Sequence, residues 1–352
     1  MQKGAKVARS KPTIQDVARR CGVAPITVSR VINNSGYVAA EVRERVQQAI
    51  RDLGYVPNTL ARSLRSSRTN TIALVLTDLT NPFFTTVVRG AEDAASDQGY
   101  MLIIANTDEH EDKEHRYVQM LLQHRVDGIL LVPARGAAES ARLIQQQQTP
   151  LVIMDRRAVG TRADSVCGDS VGGARQLGEL VASLGHNHVA VLAGPEGVST
   201  SDDRILGFQQ GLTSLRPSAT CRIYHGNFNQ DSGRQLTRQA LAANPRPTAL
   251  FGANNFMTIG ALRGLRDANV SVPEDVTLVG FDDLPDSIVT FPFLTVAAQP
   301  AYEMGRRSVE LLLERIKSGI TNPDPTTELL LPVELIVRGS SGPAPQAQIS
   351  SQ

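Results

Sequence analysis

Short apolar runs alternate with amphipathic stretches of 12 to 17 residues from Thr71 onward, and this alternation constrains the fold more than any other feature. The eight runs are TIALVLTDL, YMLIIANTD, DGILLVPA, PLVIMDR, HVAVLAG, CRIYHGNF, TALFGANN and VTLVGFDD. Short β runs separated by helices favour right-handed βαβ units and a parallel sheet that is covered on both faces. Eight units exceed one open sheet of this type, so the pattern predicts two doubly wound lobes that bind ligands at the carboxyl ends of their strands.

The first 56 residues have a different pattern, which predicts three short helices. Thr13 can cap the first helix, Pro25 suits the first turn of the second, and the third is expected from about 41 to 53. Gly22 can adopt the left-handed conformation that ends the first helix, so that a tight turn brings the first two helices together. The segment therefore predicts an all-α helix-turn-helix headpiece, and the alternative is an ordinary three-helix domain with a solvated second helix.

The charge distribution favours the DNA-binding interpretation of this segment. The chain has 36 Lys and Arg against 35 Asp and Glu, and 13 of the former but only 4 of the latter occur up to Arg68, which leaves 23 and 31 in the remainder. A basic headpiece attached to an acidic body is typical of a protein that presents one end to phosphates.

The cysteines and the N-terminal residues indicate in which cellular compartment the protein works and whether it binds a metal or cofactor. Cys21, Cys167 and Cys221 are far apart in the sequence and show no CxxC or other metal-ligand spacing. This predicts a reduced, cytoplasmic setting without a metal or cofactor. The basic N-terminus has no apolar run behind it, and no stretch approaches the ~18 apolar residues of a membrane span, so neither a secretory signal nor a membrane partner is expected.

From Thr13 to about Arg338 the chain resembles the lactose-repressor family of bacterial transcription regulators. The resemblance is carried by DVARRCGV, TVSRVIN, GYVPNTLARSL, RVDGILL and VPEDVTLVGFDD, in this order. Members of this family bind an operator as dimers, and a small effector in the body changes that affinity. The resemblance implies three partners for this chain: near-palindromic double-stranded operator DNA, a second copy of the chain, and a small-molecule effector, expected to be a monosaccharide.

The resemblance also implies the domain organisation, an α/β chain with a body like periplasmic sugar-binding proteins. The expected parts are a helix-turn-helix headpiece (1–56), a hinge helix and linker (57–70), a two-lobed body (71–340) and a disordered tail (341–352). Within the body, the first lobe is expected at about 71–169 and 301–328, and the second at about 170–299 and 329–340.

By the same resemblance, the second helix of the headpiece carries the residues that contact DNA bases. Arg30 can make two hydrogen bonds to a guanine edge, worth about 1–3 kcal/mol of discrimination, whereas Ile26 can read only shape or a thymine methyl. The polar residues that can donate to phosphates are Thr13, Ser29, Asn33 and Tyr37, although each also fits a helix cap or a solvated position. The predicted DNA-contacting residues are Thr13, Pro25, Ile26, Thr27, Ser29, Arg30, Asn33, Tyr37, Asn58, Leu64 and Arg65.

The segment from 57 to 66 matches the hinge of the family. A helix of this length is marginal in water, so we expect it to form only on DNA. Leu64 occupies the position of the family's leucine that enters the minor groove, and Arg62, Arg65 and Arg68 suit the negative potential there.

Nine residues of the body resemble, position by position, the sugar contacts of periplasmic ribose-binding proteins, and Phe228 falls where a further stacking aromatic lies. Phe rings suit the apolar faces of a sugar, while Asp, Asn, Arg and Gln suit its hydroxyls. Ribose or another pentose is the leading expectation, but Asn255 replaces the Asp of a common Asn-Asp pair and leaves the sugar open. The predicted effector-binding residues are Asn81, Phe83, Phe84, Asp155, Arg156, Arg204, Phe228, Asn254, Asp282 and Gln299.

Other functions are compatible with parts of the sequence. Within the same architecture, activation, a non-sugar effector or a purine co-effector stay open, although Val198 and Ser199 stand where a purine-binding relative has an arginine. A soluble sugar receptor without regulatory DNA binding is the alternative from another class, and the basic headpiece counts against it. Catalysis is not expected, because the sequence has no GxSxG, P-loop or Rossmann glycine motif.

Two alanines weaken the headpiece. Ala24 and Ala39 precede its second and third helices, where family members often have Ser, and each missing cap costs about 1 kcal/mol. We therefore expect a free headpiece of low stability.

Overall fold

The computed structural model describes residues 11–56, 68–136, 138–158, 160–285, 289 and 291–345. The chain forms two compact units, Met1–Thr69 and Asn70–Gln352. The predicted hinge at 57–66, with Asn58, Leu64 and Arg65, lies outside the described residues, so its structure and contacts stay predictions.

Residues 11–56 of the first unit form three helices. They are α1 (Ile14–Cys21), α2 (Pro25–Ile32) and α3 (Ala40–Leu53). The predicted cap of α1 is confirmed: Thr13 and Asp16 form a reciprocal capping box, and Gly22 follows in the left-handed conformation at φ 63°. The side chains that close the small core come from all three helices and include Val17, Val28 and Val46.

Alanine occupies the N-cap position of both α2 and α3. The methyl groups of Ala24 and Ala39 cannot accept a hydrogen bond from the first-turn N–H groups. The low stability that we expect of the free headpiece stays a prediction.

The second unit alternates strands and helices along its length. Its strands are β1 (Thr71–Leu76), β2 (Met101–Asn106), β3 (Gly128–Leu131), β4 (Leu151–Met154), β5 (Asp164–Gly168), β6 (His188–Ala193), β7 (Thr220–His225), β8 (Ala249–Gly252), β9 (Thr277–Phe281), β10 (Thr295–Ala298), β11 (Glu328–Leu331) and β12 (Glu334–Ile336). Its α-helices are α4 (Pro82–Asp97), α5 (Glu111–Gln123), α6 (Glu139–Gln146), α7 (Ser170–Ser183), α8 (Ser199–Leu215), α9 (Gln230–Leu241), α10 (Asn255–Asp267) and α11 (Ala301–Ser318).

The strands form two six-stranded sheets, one for each lobe. Their orders are β11-β5-β4-β3-β1-β2 and β12-β10-β9-β8-β6-β7. All pairs are parallel except β10 with β12, which is antiparallel. In both sheets the strand order reverses once, between β1 and β3 and between β6 and β8, so the predicted doubly wound α/β fold with two lobes is confirmed.

Helices cover both faces of each sheet, as the continuous apolar strands require. In the first lobe, α4 and α11 pack on one face and α5 and α6 on the other. In the second lobe, α7 and α8 cover one face and α9 and α10 the other.

Glycines allow paired helices of the second unit to approach closely. A Cβ atom on Gly178 of α7 would lie 2.2 Å from the backbone oxygen of Phe208 in α8, and one on Gly207 of α8 would lie 2.1 Å from that of Val171. The pairs α4–α11 and α9–α10 are built in the same way, through Gly90 and Gly305 and through Gly233 and Gly260.

The boundary between the lobes differs slightly from the sequence prediction. The strand Glu328–Leu331 pairs with β5 in the first sheet, whereas Glu334–Ile336 pairs with β10 in the second. The chain therefore passes from the first lobe to the second after 331, not after 328.

Part of the tail that was predicted to be disordered is ordered, and this prediction is wrong for 341–345. Gly342 exchanges hydrogen bonds with the Thr277 hydroxyl, and Ala344 N–H donates to Leu184 O over 2.8 Å. His186 is fully buried and bonds Gly342 O and Thr248 Oγ1. The Thr277 hydroxyl, the His186 ring and the carbonyl of Leu184 at the end of α7 bind this segment, although it has no apolar pattern.

None of the helices in the ranges given above is long and apolar enough to cross a membrane.

Candidate effector cavity and DNA-binding face

A cavity of about 830 Å³ opens at the carboxyl ends of strands from both lobes. It lies at the points where the strand order reverses, because its walls include segments after β1, β6 and β8. Doubly wound sheets bind ligands at such points, and the volume falls within the range of small-molecule sites.

The cavity brings together nearly all of the residues predicted to bind the effector. Those that line it are Asn81, Phe83, Phe84, Asp155, Arg156, Arg204, Phe228, Asn254 and Asp282. The tenth, Gln299, lies behind Asp282, to which its Nε2 donates over 2.7 Å.

The first turn of α4 forms one wall. Asn81 is the N-cap of this helix, since its Oδ1 accepts from Phe83 N over 3.0 Å. The rings of Phe83 and Phe84 follow and meet edge to face at 5.1 Å. An apolar wall therefore lies beside an amide, which is the combination a sugar ring requires.

Asp155 and Arg156, directly after β4, place opposite charges at the floor of the first lobe. Asp155 is held at φ 61°, a left-handed conformation that Asp tolerates better than most residues. Arg156 makes a bidentate ion pair with Glu109, at 2.6 and 2.7 Å. The guanidinium also lies 5.5 Å from the ring centroid of Phe228, on the other lobe.

Arg204 and Asp282 form the corresponding pair in the second lobe. Arg204 Nη1 donates to Ala253 O over 2.7 Å and lies 3.4 Å from Asp282 Oδ2. Its guanidinium also lies 3.9 Å from the ring centroid of Phe281. Asp282 follows β9 at φ 66°, so both lobes end a central strand with an Asp in the same unusual conformation.

Two further predicted residues are fixed by their surroundings. Asn254 caps α10 through its Oδ1, which accepts from Met257 N over 2.8 Å. Phe228 packs on Gly194, where a Cβ would meet the ring at 2.2 Å. A larger residue at position 194 would displace this ring from the cavity.

Burial sets the ionisation of the carboxyl groups. It raises the pKa of Asp155 and of Asp282, although the neighbouring arginines act in the opposite direction. For Glu109, burial is again the largest single effect, but the charge of Arg156 and the hydrogen bonds to the carboxylate together outweigh it and lower the pKa. Removal of either arginine would therefore leave a buried carboxyl that is easily protonated.

Several polar atoms of these residues point to a hydroxylated ligand. Among the described residues, Nε of Arg156, Nε of Arg204 and Oε1 of Gln299 are buried without a hydrogen-bond partner. Buried polar groups are almost always hydrogen-bonded. The two arginines line the cavity and can donate to the hydroxyls of a neutral sugar, whereas Gln299 lies behind Asp282 and supports that carboxylate.

Sequence reasoning missed two residues of this region. Glu109 pairs with Arg156, and the acidic stretch that follows β2 at its carboxyl end was the available signal. Asn255 was noted only as a departure from a pattern, yet its Nδ2 donates to Asn81 Oδ1 over 2.9 Å, from one lobe to the other.

The predicted DNA-contacting residues of α2 form one outward face. Pro25, Ile26 and Arg30 are exposed, and Thr27 is half-buried. Around this face, Asn33 donates to Ser29 O and Oγ within the helix.

Two more predicted phosphate contacts lie outside α2. Thr13 is engaged in the capping box with Asp16, as the alternative interpretation of this residue anticipated. Tyr37 is 92% exposed, so its hydroxyl is accessible to a partner.

Comparisons with known proteins agree with both regions. Residues 13–58 match the model of bacterial regulatory proteins of the lacI family. Residues 69–338 match the model of periplasmic binding proteins and the sugar-binding domain of the LacI family.

The chain is similar to two named repressors over most of its length. It is 34% identical to a ribose operon repressor of Halalkalibacterium halodurans over 326 residues, which are 93% of this chain and 96% of that protein. It is 35% identical to the transcriptional repressor PurR of Vibrio atlanticus over 307 residues, 87% of this chain and 92% of that protein.

Solved structures resemble the whole fold as well. A Lac repressor dimer bound to operator and the anti-inducer ONPF matches with a TM-score of 0.82 and 28% identity, covering 95% of this chain and 100% of that one. A LacI-family regulator of Enterococcus faecium with bound ribose matches with a TM-score of 0.69 and 29% identity, covering 78% and 99%. From its headpiece, its two-lobed body and these matches, the chain belongs to the LacI family of bacterial regulatory proteins.

Proposed function

We propose that this chain is a transcriptional repressor whose affinity for operator DNA changes when a neutral, hydroxyl-rich sugar occupies the cavity between its lobes. Ribose or a related pentose is the leading candidate. The observation that carries this proposal is the convergence of aromatic rings, buried carboxyls and partly unsatisfied guanidinium groups in one cavity. The ribose operon repressor and the ribose-bound regulator among the relatives support the same sugar.

The proposed contacts follow from the chemistry of each group. Asp155 and Asp282 accept hydroxyl protons, Arg156 and Arg204 donate through their Nε atoms, and Phe83 or Phe84 covers an apolar face of the ring. Asn81, Phe228, Asn254 and Gln299 complete the site. Because acidic groups outnumber basic ones along the cavity wall, a phosphorylated or carboxylated sugar is disfavoured.

The exposed face of α2 supplies the proposed base contacts, with Pro25, Ile26, Thr27 and Arg30 in the major groove. The surrounding polar residues contact phosphates, and the hinge with Asn58, Leu64 and Arg65 enters the minor groove. The relative that is a dimer on its operator supports a homodimer on a near-palindromic site for this chain. As part of this proposal, the chain acts on chromosomal DNA in the cytoplasm as a regulator and not as an enzyme.

A ligand panel on the full-length protein tests the effector. Ribose at one hundred times its dissociation constant should stabilise the body by about 2.7 kcal/mol, seen as a shift of the melting temperature. Asp282→Asn should weaken ribose binding at least tenfold. Asp267→Asn, an exposed carboxyl at the end of α10, is the matched control.

The DNA-binding part is tested by operator retention with and without ribose across a salt series. Arg30→Ala should lose about 1–3 kcal/mol at one guanine of the site and leave non-specific binding nearly unchanged.

The ligand panel also decides between a sugar and a purine. If a purine shifts the melting temperature and no pentose does, the effector is a purine, and the proposal that the chain is a DNA-binding regulator still stands. The relatives named PurR make purines the second class in the panel.

A further inference from the structure

Two asparagine side chains, one from each lobe, meet directly beside the cavity. Asn255 Nδ2 donates to Asn81 Oδ1 over 2.9 Å, and the two residues are 1% and 5% exposed. Asn81 immediately precedes α4 of the first lobe, and Asn255 is the first residue of α10 in the second. We refer to Asn81 and Asn255 as the interlobe amide pair.

The backbone fixes the orientation of both amides. Asn81 Oδ1 accepts from Phe83 N over 3.0 Å, and Asn255 Oδ1 accepts from Phe256 N over 2.7 Å. Each oxygen therefore faces an N–H group, so the atom that Asn255 presents to Asn81 is its NH₂ group. The contact requires a donor at position 255, which Asn has and an ionised Asp lacks.

A second contact between the lobes lies in a different environment. Arg157 makes a bidentate ion pair with Asp203 of α8, and its backbone N–H donates to Ser199 Oγ. The Arg157 side chain is 61% exposed, and ion pairs of this kind contribute little because water can replace either partner. Separation of the buried amides instead leaves a donor and an acceptor that must be rehydrated.

We propose that Asn255 is a positioning residue that holds the two halves of the effector site together through Asn81. Its hydrogen bond fixes the spacing of the first turns of α4 and α10, which bear Phe83, Phe84 and Asn254 on the cavity wall. It also engages the oxygen of Asn81, so that Nδ2 of this residue is the group left for the effector. Only the identity of the effector rests on the function proposed above.

Asn255→Asp tests this proposal in the full-length protein, because it changes the donor to an acceptor at almost constant volume. At pH 8 the new carboxylate faces Asn81 Oδ1, and the repulsion should weaken ribose binding at least tenfold. Hydrogen–deuterium exchange should rise in residues 253–258 and also in residues 78–86 of the first lobe. A role confined to α10 would change only the former segment.

Acidification gives a signature that a local structural defect would not. Below the pKa of the introduced carboxyl, its O–H can donate to Asn81, so ribose affinity and first-lobe protection should return towards the wild-type values measured at the same pH. Asn255→Ala removes the donor without adding charge and should cause a smaller change in the same direction. Asn269→Asp, an exposed residue beyond the other end of α10, is the matched control and should change neither measurement.

The outcomes separate this proposal from the sugar assignment. If the wild-type protein does not bind ribose but Asn255→Asp still raises exchange in residues 78–86, the sugar is wrong and the role of Asn255 stands. If exchange in that segment and ribose affinity both stay within twofold of wild type, Asn255 does not position the lobes.

Discussion

Glu114 shows how a single buried residue can make the stability of the chain depend on pH. Its carboxyl is fully buried on α5, and one oxygen accepts from Ala134 N over 2.6 Å. Burial raises the pKa of Glu114 to about 7. The acceptor Ala134 begins the turn before Arg135, which lines the cavity, so this carboxyl supports the wall of the effector site.

The raised pKa makes the folded chain bind a proton more tightly than the unfolded chain does. The contribution of Glu114 to the free energy of unfolding is therefore fully present below the ordinary Glu pKa of 4.5. It is lost as the pH rises from there to about 7. Glu114→Gln keeps an acceptor for Ala134 and cannot ionise, so it should be more stable than wild type at pH 8, by up to about 3 kcal/mol. Urea unfolding at pH 5 and pH 8 measures the change.

The control for this prediction is Glu139→Gln, at an exposed carboxyl that begins the neighbouring helix α6. It should leave the pH dependence of stability as in wild type. Equal stability of Glu114→Gln and wild type at both pH values would show that the Glu114 carboxyl is not desolvated in solution.

At the residue scale, most of the cavity-lining side chains could be predicted from the sequence. Asp155, Asp282 and Asn254 each directly follow an apolar run, and the position-by-position resemblance to sugar contacts selected them. The ion-pair partner of Arg156 lies in another segment of the chain, and neither the apolar runs nor the resemblance predicted it. Glu109 is separated from Arg156 by two strands and two α-helices, and only the folded sheet brings the two side chains together.

At the scale of elements, the helix pairs depend on glycines whose role the sequence conceals. The pair α7–α8 has Gly178 on one helix facing Phe208 on the other, and Gly207 facing Val171. Gly→Ala normally stabilises a helix interior. Here the added methyl group would meet a backbone oxygen that no rotamer change can move.

Gly178→Ala should therefore destabilise the body by about 1–3 kcal/mol, as overpacking does, instead of stabilising it. The measurement is the free energy of unfolding of the full-length protein in urea. Gln210→Ala, an exposed position on α8, serves as the control and should be close to neutral. A more stable Gly178→Ala protein would mean that the two helices can move apart without cost.

The start of α3 offers a second test at this scale. A Ser at position 39 could accept a hydrogen bond from a first-turn N–H, which Ala39 cannot. Ala39→Ser should raise the stability of the headpiece by about 1 kcal/mol, and Thr13→Ala should lower it by a similar amount through loss of the capping box. Thermal unfolding of the first unit, followed by circular dichroism, measures both changes, and an unchanged midpoint for Ala39→Ser would contradict the first.

The sequence pattern predicted eight strands of the second unit but missed four others. These are Asp164–Gly168, Thr295–Ala298, Glu328–Leu331 and Glu334–Ile336. Asp164–Gly168 shows the reason: it has only one fully buried apolar side chain, Val166, and begins with a buried Asp that pairs with the distant Arg315. No local pattern contains that information.

At the scale of the whole molecule, regulation requires that effector and operator act on each other equally. If ribose changes the affinity for operator by some factor, operator must change the affinity for ribose by the same factor. A coupling of about 1–3 kcal/mol is typical. Calorimetric titration of ribose into the free protein and into the operator complex tests this, and equal affinities would exclude ribose as the regulating ligand even if it binds.

The crossing of the chain between the lobes has a consequence for its synthesis. The first sheet is completed by β11 and covered by α11, and the second is closed by residues 340–344, which bond Thr277, Leu278 and Leu184. A nascent polypeptide emerging from the ribosome thus holds two unfinished sheets until its last pieces appear. Unlike proteins whose domains are each completed in turn during translation, this one leaves both sheets incomplete until residues 328–336 have been made.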